Sequence, residues 1–196
     1  MHKSLTEVIF ILDRSGSMGG LESDTIGGYN GFLEKQKKLT GDTHITTVLF
    51  DDQYEILYNG VDVSRARLTP EQYFVRGMTA LYDAVGKTIL DVGTRLARIP
   101  EAERPGKVIM IITTDGAENS SREFSGKRVK EMIAHQRDKY GWEFLFFGAN
   151  IDTATVAANI GIDTDNAIAF KASSAGILDL MECVSEKVEH SRKGNK

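Results

Sequence analysis

Short apolar runs alternate with segments of helical periodicity along most of the chain. Four runs rich in apolar or β-branched residues are typical of buried strands, at 8–12, 45–50, 107–113 and 142–147. Between and after them, apolar residues recur every three or four positions, which predicts helices over about 24–39, 80–98, 126–141 and 173–190. A shorter helix is predicted over 152–160, and a short final strand over 167–170.

This alternation favours an α/β fold: a doubly wound, mostly parallel, Rossmann-like sheet with helices on both faces. The segment 54–58 follows 45–50 across a short polar turn, which predicts a hairpin and one antiparallel edge strand. Ser23 or Asp24 is predicted to cap the first helix. No linker or repeat divides the chain, so we expect a single domain over 1–196, with a core of about 5–190 and a frayed polar tail from about Ser191.

Composition narrows the classes of function. Of the 196 residues 41% are hydrophobic, enough for a substantial core without disulfides. Acidic residues outnumber basic ones by 28 to 24, a net charge of −4, which speaks against nucleic acid as the main partner. Cys183 is the only cysteine, which suits a reducing compartment. No apolar run is long enough for a secretory signal or a membrane span, so we expect a cytoplasmic protein without a membrane partner.

The turn after the first predicted strand carries three oxygen-bearing side chains. Asp13, Ser15 and Ser17 fall at a spacing of two, and Gly16 between the serines lets the backbone bend sharply. Such a turn can direct one carboxylate and two hydroxyls toward a single point. Mg²⁺ accepts ligands of this type, so the turn predicts part of a cation site.

Two further loops offer candidate ligands. Asp115 follows the predicted strand 107–113, and Thr79 stands directly before the predicted helix 80–98. In open α/β sheets, ligands bind outside the carboxyl ends of the strands, where the strand order reverses. If the first and fourth strands are neighbours, these loops converge and one cation is surrounded by Asp13, Ser15, Ser17, Thr79 and Asp115.

Such a site would leave the cation incompletely coordinated. Only two of the five candidate ligands carry charge, so the ion would keep much of its positive charge. Mg²⁺ prefers octahedral oxygen geometry and usually keeps several waters, one of which a carboxylate from another molecule could replace. The pattern therefore predicts cation-dependent capture of an acidic group with Mg²⁺, or alternatively Mn²⁺ or Ca²⁺.

Three separated motifs together resemble the metal-ion-dependent adhesion site of von Willebrand factor type A (VWA) domains. The matching segments are Asp13-x-Ser15-x-Ser17, Gly77-Met78-Thr79 before a helix, and Thr114-Asp115-Gly116. The resemblance implies that Ser15 and Ser17 bind the metal directly. It implies that Thr79 binds directly when a ligand is engaged and otherwise through water. Asp13 and Asp115 would supply charge, through water or by holding the hydroxyls.

The resemblance also implies a function. The sixth metal position would go to a Glu or Asp of a partner protein, which makes the chain a protein-binding module and not an enzyme. In this family the site is often coupled to a shift of the last helix, here about 173–190. The chain is more similar to the small stand-alone bacterial members than to the extracellular adhesive ones, because it has no disulfide and no recognisable secretory signal or second domain.

Simpler interpretations of the same residues stay open. The serines and Thr79 could serve only as helix caps, and Asp115 only as a turn residue. Asp51-Asp52 is interpreted as a hairpin turn and not as a second cation site. Two other functions also stay open: a metal-assisted phosphohydrolase with Asp13 as nucleophile or ligand, and a structural or assembly subunit stabilised by its metal.

Overall fold

The computed structural model describes residues 1–193, which form a six-stranded sheet covered by helices on both faces. The strands are β1 (His2–Asp13), β2 (Thr43–Phe50), β3 (Tyr54–Asp62), β4 (Pro105–Thr114), β5 (Glu143–Gly148) and β6 (Ala167–Ala169). The α-helices are α1 (Glu22–Gln36), α2 (Leu81–Arg98), α3 (Gly126–Tyr140), α4 (Thr153–Asn159) and α5 (Ser174–Lys193). Within these residues, no helix has the length and apolar character needed to cross a membrane.

The strand order is β3-β2-β1-β4-β5-β6, and every neighbouring pair is parallel except β2 and β3. The predicted fold class and its antiparallel edge strand are therefore confirmed. β1 and β4 are neighbours, as the convergence of the candidate site requires. Strands are added in opposite directions on either side of this pair, so the carboxyl ends of β1 and β4 form the switch point of the sheet.

Side chains of β1 are buried on both faces of the sheet, which explains its continuous apolar run. Phe10 packs in the cluster that α1 and α5 cover, together with Phe32 and Ile177. Ile11 points to the opposite face and joins Val85 in the cluster that α2, α3 and α4 cover. The two layers of helices hold β1 centrally, so the turn after it rests on a rigid base.

The first helix differs from its prediction at both ends. It begins at Glu22, and its N-cap is Leu21, so neither Ser23 nor Asp24 caps it. The Glu22 carboxylate instead accepts a hydrogen bond from the backbone N–H of Gly20 and so satisfies a donor ahead of the helix. The helix ends at Gln36, three residues before the predicted end.

The C-terminal helix is longer than predicted. It continues through Lys193, so the prediction of a frayed tail from Ser191 is wrong for residues 191–193. Ser191 donates a hydrogen bond to Glu143, and Arg192 donates one to Gln36 at 2.8 Å. These bonds to β5 and α1 hold the last turn on the body of the protein. The remainder of the predicted tail, 194–196, lies outside the described residues.

Candidate metal centre

Three hydroxyl groups converge on Gly116, at the end of β4. A β-carbon placed on Gly116 would lie 3.0 Å from Thr79 Oγ1, 3.2 Å from Ser17 Oγ and 3.9 Å from Ser15 Oγ. The serines follow β1 and the threonine precedes α2, so segments far apart in sequence meet at the switch point. The missing side chain of Gly116 leaves the space between the three hydroxyls free of protein atoms.

Asp115 joins this group through Ser17. The Ser17 hydroxyl donates a hydrogen bond of 2.5 Å to Asp115 Oδ1 and lies 3.2 Å from the Ser15 hydroxyl. The other carboxylate oxygen, Asp115 Oδ2, is buried and has no hydrogen-bond partner. Burial raises the pKa of Asp115, although the hydrogen bond from Ser17 acts in the opposite direction.

Asp13 lies beside the serine turn, and its side chain is fixed by two hydrogen bonds. Oδ1 accepts one from the backbone N–H of Ser15 at 2.7 Å, and Oδ2 accepts one from the hydroxyl of Thr114 at 2.6 Å. Burial raises the pKa of Asp13 to about 6, and the charge of Asp115 contributes in the same direction. Asp13 thus shapes the serine turn and adds a second carboxylate to the site.

This donor set fits a divalent cation. Two carboxyl groups with raised pKa values lie beside three hydroxyls, and one carboxylate oxygen is buried without a partner. A cation would supply the positive charge that is missing beside both carboxylates. Among residues 1–193, no three His, Cys, Asp or Glu side chains cluster where they could hold a metal. A cation here would therefore depend on hydroxyl oxygens, which suits Mg²⁺, Mn²⁺ or Ca²⁺.

The hydroxyl of Thr79 takes no part in capping α2. The N-cap residue is Ala80, and the first-turn N–H groups of Tyr82 and Asp83 are accepted by Glu118 and Ser121. The interpretation of Thr79 as a helix cap is therefore wrong. Ser15 likewise makes no side-chain capping bond to the short 3₁₀ turn that follows it. Neither hydroxyl is therefore used to cap a helix.

The loop after β4 holds the backbone of Thr79 in place. Asn119 Oδ1 accepts a hydrogen bond from Thr79 N at 2.9 Å, and Asn119 N donates one to Thr79 O at 3.0 Å. In return, the Asp83 carboxylate of α2 accepts bonds from the backbone of residues 122–124. This mutual capping fixes the loop before α2 against the loop after β4, and the sequence motifs do not reveal it.

Asp51 connects the turn after β1 with the loop that leads into α2. Its carboxylate accepts hydrogen bonds from Arg14 and Arg76, and its backbone oxygen accepts one from Ala80 N. Asp51 also forms the predicted hairpin turn, through its bonds with Gln53. The sequence shows this turn but not the two arginines, because their partner lies 37 and 25 positions away.

Comparison with known proteins relates the chain to others at the level of three-dimensional structure. No protein-family model and no curated protein matches the sequence. Proximal thread matrix protein 1 from the mussel byssus, solved with a zinc-occupied MIDAS motif, aligns with a TM-score of 0.61 and 18% identity over 93% of this chain. The chain spans only 45% of that protein.

Two further solved structures align over nearly the whole chain. The vWF domain of the type V pili tip protein Mfa5 from Porphyromonas gingivalis gives a TM-score of 0.62 at 10% identity, with 95% of both chains covered. The ArnB paralog VWA2 from Sulfolobus acidocaldarius gives 0.58 at 18% identity, covering 93% of this chain and 44% of that protein. The chain therefore has the fold of von Willebrand factor type A domains.

Proposed function

We propose that this chain is a divalent-cation-dependent protein-binding module. The cation, Mg²⁺ in the first instance, is held at the switch point by Asp13, Ser15, Ser17, Thr79 and Asp115. A Glu or Asp of a partner protein completes its coordination. One of the aligned structures is named for a zinc-occupied MIDAS motif, and this supports a metal at the same place in the fold.

The observation that carries the proposal is the partnerless oxygen of Asp115. A buried carboxylate oxygen without a hydrogen bond costs free energy, and natural proteins keep few of them. Asp115 Oδ2 belongs to the same short segment as Gly116, beside which the three hydroxyls meet. A cation at this point would satisfy the oxygen and would also hold the hydroxyls together.

The site supports binding better than turnover. Both oxygens of Asp13 are engaged in hydrogen bonds, and the residue is 1% exposed, so it is poorly placed to attack a phosphate. Asp13 as the nucleophile of a phosphohydrolase therefore finds no support in this geometry. Ser17 is an exposed residue although its hydroxyl binds the buried Asp115, so the site lies at the protein surface. A metal that only stabilises the fold would not require this position.

We also propose a reducing, cytoplasmic location for the module. Its single cysteine, Cys183, is half-buried, and burial raises the pKa of the thiol, which keeps it in the less reactive protonated form. Fractionation of the source cells, with an antibody against the chain, tests this location.

Calorimetric titration with Mg²⁺ tests the metal site directly. Asp115→Asn keeps the shape of the side chain but removes its charge, and we expect at least about tenfold weaker Mg²⁺ binding. Asp138→Asn is the matched control, because Asp138 is exposed at the end of α3. Equal Mg²⁺ affinity in Asp115→Asn and in the parent chain would refute the proposed site.

Partner binding is tested by capture from a lysate of the source organism. A partner held through the cation should be retained in Mg²⁺ and released by EDTA. The Asp115→Asn chain should fail to retain it, and the Asp138→Asn chain should behave as the parent. If EDTA does not change the retention, partner binding does not depend on the metal and this part of the proposal is refuted.

A further inference from the structure

Two large apolar side chains are exposed beside the candidate metal centre. Phe74 is 45% exposed and Met78 is 52% exposed, and both belong to the loop that leads into α2. Met78 directly precedes Thr79. Exposed apolar groups that adjoin a binding site are typical of contact surfaces, and buried aromatic contacts often dominate binding energy.

Phe74 is held in place by two arginines. The guanidinium carbons of Arg14 and Arg76 lie 5.6 Å and 5.4 Å from the centre of its ring. Arg14 is fully buried, and Asp51 fixes both guanidinium groups. The ring is therefore pre-positioned, so little conformational entropy is lost when a partner covers it.

Glycines form the contact between the turn after β1 and the loop before Thr79, where Gly16 N donates a hydrogen bond to Gly77 O. Gly16, Gly19 and Gly77 are exposed there. A β-carbon on Gly16 would lie 3.6 Å from Gly77 O, and one on Gly19 would lie 4.0 Å from Val75 Cγ2. Gly16 and Gly19 add no side chain to this surface, although the Asp52 carboxylate lies against Gly77. A partner segment can therefore approach the turn after β1 closely, and its residues beside a metal-bound acid can reach Phe74 and Met78.

The charges on this side of the site indicate which neighbour the acid should have. The guanidinium groups beside the Phe74 ring are already paired with carboxylates, Arg14 with Asp51 and Glu55 and Arg76 with Asp51. The ring therefore offers an apolar surface and no free charge. An apolar side chain would cover the exposed ring and the flexible Met78 side chain, which adapts to different shapes.

We infer that Phe74 and Met78 select the partner: the acid that completes the metal is flanked by apolar residues. This inference rests on the proposed metal-dependent function and specifies the ligand of the same site. Phe74 and Met78 would act as specificity-determining residues, whereas the metal would supply the common affinity for any carboxylate.

Three blocked peptides test the inference on the full chain in Mg²⁺: Gly-Leu-Asp-Leu-Gly, Gly-Gly-Asp-Gly-Gly and Gly-Lys-Asp-Lys-Gly. Their dissociation constants are measured by NMR titration, in parallel with Mg²⁺ binding by calorimetry. We expect the Leu peptide to bind roughly tenfold more tightly than the Lys peptide, and EDTA to abolish all binding.

Phe74→Ala and Met78→Ala should remove the preference and leave the Mg²⁺ affinity unchanged. Tyr140→Ala is the matched control, since Tyr140 is 55% exposed at the far end of α3. Three results would overturn the inference alone. They are equal affinity for the three peptides, a preference that survives both substitutions, and Mg²⁺ binding with no peptide binding. Failure to bind Mg²⁺ would overturn the proposed function and the inference with it.

Discussion

Arg14 Nε lies 2.9 Å from Asp51 Oδ2, and neither side chain is exposed to solvent. Arg14 belongs to the turn of the candidate site after β1, and Asp51 to the hairpin between β2 and β3. Arg76 Nε binds the same oxygen at 2.7 Å. Burial favours the neutral acid, but the hydrogen bonds and charges of the two arginines prevail and lower the pKa of Asp51.

Asp51→Asn should destabilise the protein strongly. The substitution removes the charge of the buried partner of Arg14 and leaves only the half-exposed Glu55 beside that guanidinium. Removal of one member of a buried ion pair costs about 3–5 kcal/mol. Urea unfolding of the metal-free chain in EDTA measures the loss. Asp138→Asn, at an exposed pair, should stay within about 0.5 kcal/mol of the parent. A similarly small loss for Asp51→Asn would contradict the structural role of the pair.

The sequence predicts the convergence of the site because its parts are local. Asp13, Ser15 and Ser17 occupy one turn, and Asp115 follows a strand whose continuous apolar run marks it as central. The switch-point rule predicts that the loops converge if β1 and β4 are neighbours, and the structure shows that they are. The metal itself stays a prediction from these residues.

The supporting contacts could not be predicted, because they join residues far apart in sequence. Asn119 binds Thr79 across 40 positions, and Asp83 binds the backbone of 122–124 across a similar distance. Polar loop residues of this kind have no periodicity that reveals a partner. The predicted ends of α1 and α5 were wrong for the same reason, since Arg192 of α5 binds Gln36 at the end of α1.

Gly116→Ala should weaken Mg²⁺ binding without removing a ligand. Its methyl group would stand 3.0 Å from Thr79 Oγ1 and 3.2 Å from Ser17 Oγ, in the space that the proposed ion needs. We expect at least about tenfold weaker Mg²⁺ binding by calorimetry, with little loss of metal-free stability. Gly31→Ala is the control, because nothing lies within 4 Å of its added methyl. Normal Mg²⁺ binding by Gly116→Ala would show that any bound metal lies elsewhere on the protein.

The metal-dependent gain in stability should increase with pH. The pKa of Asp13 is about 6 in the folded, metal-free chain and near its ordinary value of 3.8 when unfolded. The unfolded chain therefore loses this proton first, so the contribution of Asp13 to metal-free stability falls as pH rises from about 4 to 6 and is constant above. A cation binds the ionised carboxylate and offsets that loss.

Melting temperatures in Mg²⁺ and in EDTA, at about pH 5 and about pH 7.5, measure this effect. The difference between the two melting temperatures should be larger at the higher pH. Asp13→Asn should reduce the dependence, because its amide does not titrate, and leave the part that Asp115 contributes. A difference that is independent of pH in the parent chain would argue against Asp13 as a member of the site.

Asn119→Ala should lower both stability and Mg²⁺ affinity, because it removes the acceptor of the Thr79 N–H. An unsatisfied buried donor costs about 1–3 kcal/mol, and a misplaced Thr79 hydroxyl would weaken the site further. Asn119→Asp keeps an acceptor at the same atom and should restore the Mg²⁺ affinity measured by calorimetry. If Asn119→Ala binds Mg²⁺ as tightly as the parent, the hydrogen bonds between Asn119 and Thr79 stabilise α2 alone. Thr79 is then positioned by the Ala80–Asp51 bond instead.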